Sequence, residues 1–147
     1  MRWLLFEDIE EVVMNDAESY WSPLCKLVSQ LRPCWVRGAW REGASTVESG
    51  WGQMLKIPVP GYLEWWAEPC PLRDVEWVEV STSRIKGGIA GRPLEFVDVK
   101  DEILAALRGT QLDWELREST WSVEGIFEDK PVQVLRFVNP FFIPTLH

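Results

Sequence analysis

The side chains able to do acid–base, nucleophilic or metal chemistry are few in this chain, and their spacing favours none of these chemistries. The one histidine is His147, the last residue. A Ser-His-Asp or Cys-His arrangement would have to use that residue, and terminal residues are usually mobile. Histidine-ligated metal sites fail for the same reason. Cys25, Cys34 and Cys70 are odd in number, and no pair is two residues apart. That is neither a disulfide framework nor a zinc knuckle, and buried thiols in a reducing compartment are the expected state. We therefore expect no catalytic set, no metal and no cofactor.

Carboxylates are abundant and fall in close pairs: Glu7/Glu10/Glu11, Glu64/Glu68 and Glu76/Glu79. Acid–base work needs two carboxyls in a cleft with divergent pKa values. A chain this rich in acids produces such pairs by chance, and a solvated acidic face accounts for them; a hydrolase using Glu64 and Glu68 is the sharper alternative. Arg84 to Arg92 holds Gly87, Gly88 and Gly91 beside Lys86. Glycines let backbone N–H groups approach an anion. The pattern matches neither dinucleotide nor P-loop spacing, and a strand follows it, so a hairpin loop is expected. Tyr62, Trp65 and Trp66 lie between prolines with Glu64 and Glu68. Such aromatics stack on sugars, bury in interfaces or simply fill a core.

Composition sets the frame. The chain has 147 residues, 46% apolar and 26% charged, with ten tryptophans and a net charge of −8. One domain over residues 1–147 is expected, large enough to hold a core without metal or disulfides. Phosphate contacts need clustered Lys and Arg, so the acidic balance argues against nucleic acid and against an anionic membrane surface. It favours solubility or a basic partner. The apolar patch Trp3 to Phe6 is too short for a secretory signal, and no stretch approaches a membrane span, so a cytoplasmic location is expected.

Along the chain, Leu5, Ile9, Val12 and Val13 recur at helical spacing within an acidic segment; residues 1–22 carry net −5. Ser22-Pro23 reads as a cap opening a second helix through Leu24, Leu27, Val28 and Leu31, stopped by Pro33. Residues 23–41 carry net +4, so the two helices are expected side by side. Trp35 to Trp40 predicts a strand broken at Gly38, residues 42–53 a loop, and Met54 to Val59 an edge strand. Val75 to Val80 and Leu94 to Val99 predict strands, with Ser81 to Arg92 as a turn region. Asp98 caps a helix through Ile103, Leu104 and Leu107 that ends at Gly109. Leu112 to Arg117, Trp121 to Phe127 and Val132 to Val138 predict three meander strands. The apolar tail from Asn139 to Pro144 is expected to dock on the body or on another subunit. The fold class is thus α+β: an antiparallel sheet of about five to seven strands, two N-terminal helices and one internal helix.

Asp74 to Val80, the Arg84/Gly87 turn, Asp98 to Leu107 and the acidic hairpin Asp113 to Gly125 resemble, in layout, a small bacterial family of unknown function. The resemblance spans about a third of the chain and implies a shared fold, not an activity. In type, the whole chain is similar to immunity proteins of bacterial toxin systems, which are small, acidic, cytoplasmic α+β domains that occlude a toxin's active site. That likeness implies a basic protein partner, a toxin domain. Glu7, Glu11, Glu64 and Glu68 would then steer and pair with it, and Tyr62, Trp65 and Trp66 would anchor. The alternative is a small-molecule binder, of a carbohydrate for instance, using the same tryptophans as a platform.

Overall fold

In a computed structural model of the chain, residues 17–27, 35–53, 62–64, 69–88, 90–123 and 125–142 are described, with backbone alone at 53, 62–64 and 69. Helical backbone runs over 17–27 (α1) and over Lys100–Leu107 (α2). The main sheet contains β1 (Trp35–Glu42), β2 (Ser45–Glu48), β3 (Gly52–Gln53), β6 (Val75–Ser81), β9 (Trp114–Val123) and β10 (Phe127–Val138). Its order is β2-β1-β6-β10-β9, with β3 also on β1, and every pairing is antiparallel. Two smaller ribbons pair β4 (Tyr62–Glu64) with β5 (Pro69–Pro71) and β7 (Ser83–Lys86) with β8 (Glu95–Asp98). The architecture is α+β and antiparallel.

Strand periodicity assigns the two faces. Val36, Val80 and Leu135 lie side by side in register, as do Gly38, Val78 and Phe137. This outer face meets the helices: Trp21, Leu24, Leu27, Ile103 and Leu107 join Val78, Val80 and Phe137 in one buried cluster. The alternate residues Arg37, Glu79 and Arg136 face the other way. There the sheet closes on itself. Arg37 donates to Ser119 Oγ at 2.8 Å, and the Trp51 indole N–H donates to the Thr120 carbonyl at 3.1 Å. Three strand spacings separate β1 from β9, roughly 14 Å if flat and beyond an arginine's reach. The sheet is therefore rolled into an incomplete barrel with Arg37 inside. Register shifts at Ala39/Trp40 and between Phe127 and Lys130 supply bends. In the second, Asp129 takes φ +48° and its N–H is held by Ser122 Oγ at 2.9 Å.

One end of the roll is stoppered. Trp121 and Val134, fully buried, pack with Trp35, Trp51, Ile85, Phe96 and Phe127. Phe127 and Phe96 meet the Trp121 ring edge-on at 5.0 and 5.8 Å. The β7–β8 ribbon delivers Ile85 and Phe96, and Lys130 sits 3.7 Å above the Phe96 ring.

Several expectations need correction. The helix does not start at Ser22-Pro23 but passes through it. Burial of Tyr20 and Trp21 on the same helix outweighs the N–H that Pro23 lacks. Gly38 does not break β1, because its N–H and C=O both bond Ser49. Residues 42–53 are not one loop but mostly strand, with a turn at Gly43-Ala44 and a short break at 49–51: Glu42 pairs Ser45, and Gly43 at φ +62° supplies the hairpin turn. Within the expected turn region, residues 83–86 form a strand, and the glycines lie in a hairpin loop closed by Gly88 N–H on Arg92 O at 3.1 Å. Glu118-Ser119-Thr120 is not a connector, so two of the expected strands are one, β9. Met54 to Val59 and the acidic Leu5–Val13 segment lie outside the described residues.

Other expectations hold in whole or in part. The internal helix opens one residue later than expected, with Val99 at the N-cap, although Asp98 Oδ1 still accepts the Lys100 N–H at 2.8 Å; Gly109 follows α2 at φ +80° as expected. The tail docks through residue 142: Asn139 donates to Val75 O at 2.9 Å and accepts the Phe141 N–H, while Arg41 lies 4.7 Å over the Phe142 ring. No helix among the described residues is long and apolar enough to cross a membrane.

Burial pushes the Cys25 thiol up to about 11 from an ordinary 9.0 and raises the Tyr20 phenol as well. Unfolded, the thiol ionises first, so the native state holds more protons between those values. We expect the urea midpoint to fall as pH rises from 9 toward 11, and Cys25→Ala to flatten that slope. Phe137→Ala should cost about 3–5 kcal/mol in urea unfolding and Phe141→Ala under about 1, since the first side chain is sealed and the second exposed.

Candidate functional site

Glu7, Glu11, Trp65, Trp66 and Glu68 lie outside the described residues, and Tyr62 and Glu64 are placed only as backbone in β4. What the described chain brings together are two other features, one on each face of the rolled sheet.

The first is a charged triad on the inner face. Glu79, 3% exposed, sits mid-strand in β6. Arg37 Nε donates to its Oε1 at 2.6 Å, and Arg136 donates to its Oε2 at 3.3 Å. The expectation that Glu76 and Glu79 share a solvated face therefore fails for Glu79. A carboxylate at this depth needs compensation, and one arginine from each flanking strand supplies it. Tryptophans fix both guanidiniums: Arg37 lies 5.3 Å from the Trp51 ring and 5.9 Å from Trp77, and Arg136 lies 4.1 Å from Trp77. The arginine side chains keep 31% and 22% exposure, so their outer edges reach solvent.

The second is the edge strand β9. Gln133 O accepts the Thr82 N–H, so Gln133 turns its backbone polar groups toward β6. Its partner Glu118 must then turn its own away from β10, and alternation extends this to Trp114, Leu116 and Thr120. Trp51 takes the Thr120 carbonyl. The backbone groups of Trp114, Leu116 and Glu118 face an edge that no described strand occupies. Trp114 and Leu116 are also 44% and 43% exposed, side by side at two-residue spacing. An open edge with apolar side chains is a strand-pairing surface.

Sequence reasoning placed the exposed aromatic at Trp65 and Trp66 and missed Trp114. A signal for the triad was present: Val36-Arg37-Gly38, Val78-Glu79-Val80 and Leu135-Arg136-Phe137 each set one charge among small or apolar residues in mid-strand. Cys25 and Cys70 are buried thiols, as expected, and Cys34 lies outside the described residues. Among the described residues no group of three His, Cys, Asp or Glu side chains is placed to hold a metal. Comparison of the chain with protein-family models, with curated proteins and with solved structures finds no match.

Removing the shared carboxylate leaves two arginines facing each other, with repulsion softened by their partial exposure. Glu79→Ala should lower unfolding free energy by on the order of 2 kcal/mol in urea titration. Glu115→Ala, whose 3.9 Å contact to Arg117 is exposed, should change it by less than about 0.5.

Proposed function

We propose that this protein works in the cytoplasm by binding another protein, as an immunity-type inhibitor that covers the active site of a toxin domain. The observation that carries the reading is the edge of β9 that no described strand occupies, where its outward backbone groups run beside exposed Trp114 and Leu116. Backbone pairing gives such an edge affinity, and the apolar side chains give it anchors. A net charge of −8 suits a basic partner and speeds the encounter. In this reading Glu7, Glu11, Glu64 and Glu68 add steering charge, and Tyr62, Trp65 and Trp66 extend the aromatic contact. The likeness to immunity proteins is one of type, resting on size, charge and fold class.

The test uses the immobilised full chain against host lysate at low salt, in parallel with Trp114→Ala and Leu116→Arg. The wild type should retain one basic protein, and each variant should hold it at least roughly 30-fold more weakly, as loss of a hot-spot anchor does. Retention of no protein, or equal retention by the variants, overturns the reading. So does a Leu116-dependent doubling of mass on size exclusion, which would assign the edge to a second copy. A large stability loss in Leu116→Arg also counts against it, because the edge would then be filled from within the chain.

A further inference from the structure

We propose that the inner face of the rolled sheet binds a small oxyanion, a carboxylate or phosphate group, between Arg37 and Arg136. This site lies on the opposite face from the β9 anchors and does not depend on the inhibitor reading.

The site holds a surplus of donors. A guanidinium offers five N–H groups. Arg37 gives one to Glu79 and one to Ser119, and Arg136 gives one to Glu79. Both Glu79 oxygens are taken. The remaining donors of both arginines have no acceptor among the described residues. Deeper on the same face, the buried indole N–H groups of Trp35 and Trp121 are likewise without an acceptor among the described residues. Trp121 is fully buried and lies two residues along β9 from Ser119, on the same side. The two indole donors are buried and unmet, at a cost of about 1–3 kcal/mol each, whereas the spare guanidinium donors reach solvent; neither set has a protein acceptor among the described residues. A ligand rich in acceptor oxygens corrects that imbalance, whereas a cation or a donor does not.

Charge favours an anion as well. Register places Arg37, Arg117, Lys130 and Arg136 on this face against Glu48, Glu79 and Glu115, a net positive patch in a chain of net charge −8. The site is also preorganised. Trp51 and Trp77 already hold the guanidinium planes, so a ligand need not order them. Exposure of 31% and 22% leaves their outer edges reachable.

The triad also sets an unusual sign. Glu79 competes with any incoming anion for the same two arginines, so removing its charge should improve binding. A purely structural triad predicts no such gain.

The experiment follows tryptophan fluorescence and melting temperature of the full chain. Sodium phosphate and sodium acetate are titrated separately, each against potassium chloride at equal ionic strength. The wild type should show a saturable change with phosphate near about 1 mM. The acetate arm shows whether a carboxylate group suffices. Glu79→Gln should bind at least about tenfold tighter and regain melting temperature on saturation, and Arg136→Gln should bind at least about tenfold more weakly. Responses identical to potassium chloride in the wild type overturn the proposal. So does weaker binding by a folded Glu79→Gln. Should that variant fail to fold, the wild type and Arg136→Gln decide the matter.

Discussion

Because the helices occupy the outer face of the sheet and the rolled edges meet over the inner one, β6 has no side left for water. Six of its seven residues are buried. One of those is Glu79, and its carboxylate can be tolerated only with partners brought to it. Arg37 and Arg136 come from the strands on either side, so a single charge cluster ties β1, β6 and β10 together. It also pins their register. A slip of one residue would turn Glu79 into the helix-facing core and Val78 and Val80 out of it, which is far costlier than losing a hydrogen bond.

The remaining structure arranges itself around that fixed centre. Trp51 and Trp77 flank the arginines, and Trp51 also reaches across to the Thr120 carbonyl and draws the two edges together. The β7–β8 ribbon and Phe127 seal the Trp121 end. Asn139 fastens the end of β10 to the start of β6 with its side chain and its backbone. The roll is thus shut at one end and along part of its seam. Its polar centre and the Trp114 end of β9 stay accessible.

The fold class was legible because long apolar alternation in β6, β9 and β10 and the capped α2 are local signals. What sequence alone could not provide were properties of pairing. Residues 42–53 are small and polar, which reads as a loop, yet β1 offers an edge that recruits Ser45–Glu48 through one glycine turn. Glu118-Ser119-Thr120 reads as a break because nothing local shows that Gln133, Val132 and Pro131 lie opposite. Pro23 reads as a helix start because burial of Trp21 two residues earlier is a tertiary fact. The triad needed the register of three strands, although its members stand out as lone charges in apolar surroundings. The Tyr62–Glu68 segment, conspicuous in sequence, contributes only backbone at 62–64 to the described residues.

Sequence separation along the sheet is graded, and that has a kinetic consequence. β9 and β10 are joined by a tight turn near Gly125 and form a long hairpin whose closure entropy is small. β6 must cross the length of the β7–β8 ribbon and α2 to reach β10, and β1 pairs with β6 only across an intervening segment of more than thirty residues. The β1–β2 pair, turned at Gly43, is as local as that hairpin, so the closure cost of the sheet falls on the β1–β6 and β6–β10 pairings. During synthesis β1, β2 and β6 all emerge before β10, so the pairing at the middle of the sheet must wait until that strand is made.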